Sequence, residues 1–395
     1  MSLHKLQVAL VTETYAPEVN GVAMTLGRLT AGLIERGHRV RIVRPRQKPE
    51  VSGLQPNGDL LTEGLPIPRY PELRFGLPTA GLLRRVWLEQ RPDIVHVATE
   101  GPLGFSALAA ARAIGIPVLS SFHTNFHNYS RHYGIGWLRP GIEQYLRWFH
   151  NRTATTLVPT ATQAAELEVQ GYRNIGVLSR GVDTGLFNPA RRSQSLRTQW
   201  EAQPNDPVCL IVSRLAPEKN LELAFAAFAA LRAERPNARL VCVGDGPSAA
   251  GLARRHPIAH FSGLRQGEDL AAHYASADLF LFPSLTETFG NVVSEALASG
   301  LPVVAYDRAA ASELIEHHRN GWLVKPGDAA DFISASRHAA RQVAQRQIDR
   351  NVCAASVRHL GWERIHERYE TTLKTVAALR SPLPDAVLPA PTFGI

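Results

Sequence analysis

Between residues 283 and 304 the chain reads PSLTETFGNVVSEALASGLPVV. The apolar run 279–283 predicts a strand that stops at a polar turn, 284–290, followed by a helix starting near Asn291. Two carboxylates bracket that start, Glu287 in the turn and Glu295 inside the helix. Gly290 lets backbone approach a ligand closely. The helix start offers unpaired N–H groups and the positive end of a dipole, which together favour an anion. A carboxylate before the helix and another about one turn inside it can each grip a pair of hydroxyls. A phosphate flanked by two diols is the outline of a sugar nucleotide. Glutamates at this spacing are commonly just surface helix charges. The Thr-Phe-Gly-Asn interior and the return to a strand through Ala-Ser-Gly-Leu-Pro-Val-Val set this pair apart.

Other segments carry compatible chemistry. In Ser213-Arg-Leu-Ala-Pro-Glu-Lys-Asn220, Arg214 and Lys219 stand five apart in a loop that opens a helix, with Pro217 suited to its first turn. Two cations beside a helix N-terminus make a diphosphate site, although a pair of solvated charges has the same spelling. Thr12-Glu-Thr-Tyr-Ala-Pro-Glu-Val-Asn-Gly21 follows the first strand. Its Gly21 is either a phosphate-approaching backbone position or a simple turn glycine. In Ser120-Ser-Phe-His-Thr-Asn-Phe-His127 the strand ends near His123. His123, His127 and His132 have spacings found in zinc motifs, but no carboxylate or thiol completes a set, and a packed histidine is a simpler role for His123. Gly244-Asp-Gly-Pro-Ser-Ala249 fits G-x-G-x-x-A, yet a lone match is weak and no acidic residue ends a strand about 20 residues later. It reads as a tight turn rather than an NAD site. No Asp-x-Asp metal motif is present.

The elements that must position these residues alternate. Strands are expected at 6–12, 39–44, 93–99, 117–122, 155–159 and 175–179, with helices at 22–36, 78–90, 102–114, 137–151 and 160–170. A polar stretch, 46–59, reads as a loop. A second series has strands at 208–213, 239–244, 258–262, 279–283 and 302–306, and helices at 218–233, 247–255, 267–275, 291–299 and 328–341. Each series predicts a Rossmann-like, doubly wound parallel sheet of the α/β class. The boundaries expected are 1–187 and 188–361, with a hinge at 181–189 and the ligand in a cleft at the carboxyl ends of the strands. A last helix, 362–379, carries apolar Ile365, Tyr369 and Leu373 at fours and is expected to cross back to the first domain. Residues 380–395 form a Pro-rich tail.

The motif Glu287-x7-Glu295 with Phe289-Gly290 between resembles the signature of retaining glycosyltransferases of the GT-B fold, family 4, and the resemblance extends over about 10–375. It implies a catalytic set of His123, Arg214, Lys219 and Glu287. Arg214 and Lys219 would neutralise the leaving nucleoside diphosphate, and Glu287 would hold hydroxyls of the donor sugar. Glu295 would hold the ribose diol, while Phe289, Gly290, Asn291 and Val292 meet sugar and phosphate through backbone. Gly246 and Leu264 would lie beside the nucleotide, and Gly21 would contact the diphosphate or the reacting sugar. Many members have Gly-Gly where this chain has Asn20-Gly21. Asn20, Thr124, Asn125 and His127 would touch the acceptor. No metal and no cofactor beyond the sugar-nucleotide donor is implied.

The phrases TETYAPEVNGVAMTLGRL and SFHTNFHNYSRHYG look most like bacterial GDP-mannose-dependent α-mannosyltransferases and their glycolipid-making relatives. GDP-mannose is therefore the favoured donor, with UDP-glucose or UDP-glucuronate as alternatives, and the acceptor is a lipid-linked or glycoside hydroxyl. With no evident carboxylate nucleophile, same-face attack assisted by a donor phosphate oxygen is expected. A GT-B sugar-nucleotide 2-epimerase would need acid/base carboxylates and no acceptor site. A glycoside hydrolase would need two opposed carboxyls. A non-catalytic sugar-nucleotide sensor would not need the full motif set.

Composition bounds the rest. The 395 residues are 45% apolar, enough for two cores, and carry a formal charge of +8. Residues 1–190 hold 20 Lys and Arg against 14 Asp and Glu, an excess of 6. No nucleic-acid motif accompanies that charge, so anionic substrate or anionic membrane is the expected partner. The basic, Trp-rich segment 136–149 could lie on anionic lipid or pack as an ordinary helix. Cys209, Cys242 and Cys353 are far apart and read as reduced thiols. The start lacks a secretory pattern and no apolar run reaches 18 residues, which predicts a cytoplasmic chain with peripheral membrane contact.

Overall fold

The computed structural model describes residues 5–18, 20–47, 50–67, 70–123 and 139–379. Thr124, Asn125, His127, His132, Trp137 and the Pro-rich tail lie outside the described residues. The chain divides into two compact units, Met1–Ser179 with Glu363–Ile395, and Arg180–Trp362.

The first unit contains β1 (Gln7–Val11), β2 (Arg39–Pro45), β3 (Gly53–Leu54), β4 (Leu60–Thr62), β5 (Gly64–Ile67), β6 (Tyr70–Gly76), β7 (Ile94–Val97), β8 (Val118–Ser121), β9 (Thr155–Val158) and β10 (Ile175–Val177). Its helices before the second unit are α1 (Gly21–Glu35), α2 (Ala80–Glu89), α3 (Pro102–Ala113), α4 (Arg139–His150) and α5 (Ala161–Val169). The main sheet runs β10-β9-β8-β7-β1-β2-β4-β3 and is parallel except for the edge pair β3–β4. Strands β7 and β8 are buried on both faces, including the polar His96, Ser120 and Ser121, because helices cover both. The stretch expected as a loop, 46–59, contains β3, and the antiparallel hairpin β5–β6 was not expected. Both are short and Gly- or Pro-containing, so they carry no periodic signal; Pro66 is tolerated because its ribbon has only two strands.

The second unit opens with α6 (Gln194–Gln199), then alternates β11 (Val208–Val212), α7 (Leu221–Glu234), β12 (Arg239–Val243), α8 (Ala249–Arg255), β13 (His260–Gly263), α9 (Gly267–Ser276), β14 (Leu279–Phe282), α10 (Asn291–Ala298), β15 (Val303–Tyr306), α11 (Ala309–Leu314), β16 (Gly321–Val324), α12 (Ala329–Ala344) and α13 (Arg350–Ser356). Its sheet is parallel throughout, in the order β13-β12-β11-β14-β15-β16. Alternate residues of β11 and β14 feed opposite cores. Leu210, Val212, Phe280 and Phe282 enter one, and Cys209, Ile211, Leu279 and Leu281 the other. All three cysteines are buried free thiols. Strand β16 and helices α6, α11 and α13 were absent from the sequence expectation.

The segment expected as a hinge, 181–189, belongs to the second unit, whose first residue is Arg180 rather than Asn188. Val182 bridges Gly361, and a Cβ on Gly181 would strike the Trp362 ring at 2.4 Å. The last helix, α14 (Trp362–Ala377), joins the first unit from Glu363 onward. It buries Ile365, Tyr369, Leu373 and Val376, each contributing about 1.5–3 kcal/mol. Glu370 pairs with Arg36 at 3.1 Å and with His38 at 3.0 Å.

Candidate functional site

In the second unit β11 lies between β12 and β14, so the chain leaves β11 toward one side of the sheet and returns on the other. Loops that follow neighbouring strands diverge there, which leaves a crevice at their carboxyl ends. The loop after β11 carries Arg214 and Lys219. The loop after β14 carries Glu287 and Gly290.

The first loop runs into a 3-10 turn, Pro217–Lys219, and then into α7 through Asn220, whose backbone is left-handed at φ +53°. Asn220 Nδ2 donates to the Pro283 carbonyl at 3.2 Å, and Thr286 Oγ1 donates to the Glu218 carbonyl at 3.2 Å. These bonds tie the two loops together, and Lys219 Nζ meets Glu287 Oε1 at 2.6 Å. Both side chains are mostly enclosed, 20% and 17% exposed. Ser284 Oγ donates to the same carboxylate oxygen at 2.9 Å. Arg214 is more open, 46% exposed, with Glu218 at 3.5 Å.

Gly290 caps α10 at φ +90°, a left-handed position that a side chain would strain. It turns the chain so that the first N–H groups of α10 follow directly on Glu287. Phe289 is 3% exposed and packs into the core, so only its backbone is available to a ligand. Asn291 and Val292 open the helix. Asn291 Oδ1 is enclosed without a hydrogen-bond partner. One turn on, Glu295 accepts from the Tyr274 hydroxyl at 3.0 Å. Burial pushes the Glu295 carboxyl up to about 7, the Tyr274 bond offsetting part of the rise. Gly246 sits beside the Arg214 loop, where a Cβ would strike the Leu215 carbonyl at 2.5 Å. Leu264, just beyond β13, is 64% exposed, an apolar residue open beside the same strand ends.

Two members of this site escaped the sequence reading. Arg180 is buried, its guanidinium pulled down to about 10 by desolvation and partly restored by the Glu287 carboxylate. Tyr274 is fully buried on α9. A charged residue just before the Gly181-Val-Asp turn was the only local hint of the first; nothing local marks the second.

The first unit carries the remaining positions. Gly21 is the first residue of α1, and a Cβ there would meet no protein atom within 4 Å. Asn20 caps that helix, its Oδ1 accepting from Val22 N at 3.1 Å and Ala23 N at 2.9 Å. Its Oδ1 is thus committed to α1, while its Nδ2 donates to Thr14 Oγ1 at 2.7 Å, local roles that the acceptor expectation did not include. His123 is half-buried two residues past β8. The end of that strand is pinned on both sides. Ser121 Oγ bonds His96 Nε2 at 2.7 Å, and His96 Nδ1 bonds the Tyr369 hydroxyl at 2.6 Å. Ser120 Oγ bonds His150 Nδ1 at 2.9 Å, and His150 Nε2 bonds Glu100 Oε1 at 3.1 Å. Glu13 is pushed up to about 7 by burial and accepts from Leu103 N at 3.0 Å, anchoring the start of α3. In α4, Phe149 is buried and Tyr145 and Trp148 pack against the same core, so these aromatics serve the interior of the unit. Among the described residues no helix is long and apolar enough to cross a membrane.

Comparison with known proteins identifies the family and the fold. Residues 19–186 match the model of "Glycosyltransferase Family 4", and residues 206–342 match "Glycosyl transferases group 1". A GDP-mannose-dependent alpha-mannosyltransferase of Mycobacterium tuberculosis is 35% identical over 333 residues, 82% of this chain and 85% of the relative. One of the same description from Corynebacterium glutamicum is 32% identical, covering 97% of this chain and 92% of the relative. An alpha-monoglucosyldiacylglycerol synthase of Streptococcus pneumoniae is 27% identical, covering 92% and 85%. The sucrose-phosphate synthase structure from Thermosynechococcus elongatus superposes with a TM-score of 0.76 at 18% identity, covering 95% of this chain and all of that one. The tied loops at the ends of β11 and β14, the two parallel-sheet units and these matches agree: the chain belongs to glycosyltransferase family 4 and is a hexosyltransferase of the GT-B fold.

Proposed function

We propose that this hexosyltransferase moves mannose from GDP-mannose to a lipid-linked or glycoside hydroxyl, with retention of configuration and without a metal ion. The observation that carries the chemistry is the Lys219–Glu287 pair at 2.6 Å, directly before the N-terminus of α10. A diphosphate seated on that helix start meets Lys219 and Arg214, and a hexose beside it meets the free oxygen of Glu287. Fixed cations and helix N–H groups stabilise the charge that grows on the departing diphosphate, the work that a metal does in other transferases. The ribose diol is held by Glu295.

The anomeric carbon–oxygen bond to the diphosphate breaks, and the acceptor oxygen bonds the same face of the sugar. The acceptor proton passes to a phosphate oxygen of the leaving group. His123 donates to or accepts from a hydroxyl of the transferred sugar. The choice of mannose rests on the two mannosyltransferase relatives, both named for GDP-mannose. A second reading is transfer from UDP-glucose or UDP-glucuronate to diacylglycerol; the name of the monoglucosyldiacylglycerol synthase relative supports a glucosyl group and a diacylglycerol acceptor. Peripheral contact with an anionic membrane suits a lipid acceptor and the charge of +8.

The test is mass-spectrometric detection of product without added metal. GDP-mannose, UDP-glucose and UDP-glucuronate are each paired with diacylglycerol or phosphatidylinositol liposomes and with soluble mannosides. Mannolipid or dimannoside product is expected, with the donor's anomeric configuration kept by NMR. An inverted anomer overturns the same-face mechanism, glucosyl product only overturns the donor, and donor conversion independent of acceptor points to an epimerase.

A further inference from the structure

We propose that Tyr274 is a positioning residue for the nucleotide's ribose, holding the Glu295 carboxylate by one oxygen so that a proton and the ribose diol compete for the other. The inference rests on the donor-site reading above and adds to it both a residue and a pH dependence. Glu295 projects from α10 one turn after Asn291, and Tyr274 approaches from α9 with its hydroxyl 3.0 Å from Oε2. Tyr274 is fully buried and packed edge-on against Phe187 and tilted against Phe280, so its hydroxyl has one direction available. Oε1 has no hydrogen bond from Tyr274 and is the oxygen left to a ligand.

Among the described residues no cation acts on the ionisation of Glu295. α9, α11, α13 and β15 all pack on α10. Besides Tyr274, α9 carries Glu268, which pairs with Arg191, and Asp269, which pairs with Arg265 and His273. From α11 the charged residue is Glu313, which is exposed. From α13 it is Arg350, whose guanidinium donates to the carbonyls of Ala275, Ala277 and Ser299. Cys353 of α13 is a thiol that burial pushes up to about 12, and the Tyr306 ring of β15 lies tilted against Phe332. Glu287, nearest in sequence, is paired with Lys219. Only burial and the Tyr274 phenol act on the ionisation of Glu295 among the described residues, and burial dominates, which places its titration near 7. A protonated carboxyl keeps one oxygen as a donor and grips a diol poorly, since the diol itself must donate. Ribose recognition is therefore present above about pH 7 and fades as pH falls through it. Removing the Tyr274 hydroxyl removes a bond that favours the ionised form, so the fade begins at higher pH.

Calorimetric binding of GDP and UDP, each beside its 2′,3′-dideoxy counterpart, isolates this effect across about pH 5.5 to 8.5. The diphosphate titrates identically in both members of a pair, so the ratio of their Kd values reads the ribose clamp alone. In the wild type the ribo form should bind about tenfold or more tightly at high pH, a ratio worth about 1.4 kcal/mol, and the ratio should collapse toward one on the acid side. Tyr274→Phe, which keeps the packing, should shift the midpoint upward by half a unit or more. Glu295→Gln, the isosteric control, should leave a small ratio that is flat in pH. A ratio independent of pH in the wild type, or an unshifted midpoint in a folded Tyr274→Phe protein, overturns the inference while the donor site stands. If neither nucleotide binds at any pH, the donor-site reading falls and the inference falls with it.

Discussion

Lys219 and Glu287 come from loops 68 residues apart and meet in a mostly enclosed bond of 2.6 Å. Removing either leaves the other partly buried without its ion, and on the proposed reading it also removes a charge aimed at the donor. Lys219→Ala and Glu287→Ala are each expected to lower kcat by about 10²- to 10³-fold with circular dichroism unchanged. The double variant should fall little further, because the pair acts as a unit. Near-normal kcat in either single variant would remove these residues from the site. Gly21 makes a different kind of residue-scale prediction. Its backbone is ordinary and a Cβ would meet no protein atom, so the fold does not require glycine there. Gly21→Ala should leave the melting temperature the same or slightly higher, since alanine favours the helix by up to about 1 kcal/mol, yet it should raise donor KM or lower kcat. Unchanged kinetics would leave the open space at Gly21 without a ligand. Glu295 adds a stability effect whose sign is opposite to that of a salt-bridged carboxylate. Its folded value of about 7 lies above the ordinary 4.5, so the fold favours the protonated form. The cost of ionising it grows as pH rises from about 4.5 to about 7 and is full above that. Glu295→Gln should therefore stabilise the fold more at pH 8 than at pH 5, by an amount on the order of 1–3 kcal/mol, read as a larger rise in melting temperature at the higher pH.

At the scale of elements, α14 shows how a terminal helix holds a strand end in place. Tyr369 reaches His96 at 2.6 Å, and His96 reaches Ser121 at the end of β8, just before His123. Burial holds His96 down at about 3, so it stays neutral and needs both bonds satisfied. Tyr369→Phe leaves one nitrogen of a fully buried ring unsatisfied and should cost about 1–3 kcal/mol, read as a lower melting temperature. An unchanged melting temperature would show that the contact carries no stability. The same contrast between local and tertiary signals explains what could be read from the sequence. The central strands were legible because parallel strands covered on both faces are continuous apolar runs, as in Val208–Val212 and Leu279–Phe282. Gly290 and the two glutamates were legible because strand, turn and helix start are contiguous in the chain. The hairpin β5–β6 and the two-residue β3 gave no period to read. Tyr274 could not be found because it meets Glu295 only through packing of α9 on α10, 21 residues away. Segment 136–149 was ambiguous because an amphipathic helix that packs inward has the same spelling as one that lies on lipid. Phe149, Trp148 and Tyr145 face the core.

For the whole molecule, the formal charge of +8 exceeds what the cations of the proposed donor site account for. Lys219 and Arg214 account for two charges, and residues 1–190 alone carry an excess of 6. Surface charge of this kind acts at long range and is screened by salt, unlike the enclosed Lys219–Glu287 bond. The two therefore separate by ionic strength. On the proposed reading with a lipid-linked acceptor, each Lys or Arg near an anionic surface contributes about 1 kcal/mol of attraction, and this concentrates the enzyme on its acceptor. Transfer to an acceptor in phosphatidylglycerol-rich vesicles should exceed transfer to the same acceptor in neutral phosphatidylcholine vesicles, several-fold at about 50 mM salt and little at about 500 mM. Transfer to a soluble mannoside should change much less over the same range, because the proposed donor contacts are partly buried. If both acceptors respond alike, the salt effect lies in the donor site. If neither vesicle composition nor salt changes lipid transfer, the net charge has no part in bringing the acceptor to the enzyme.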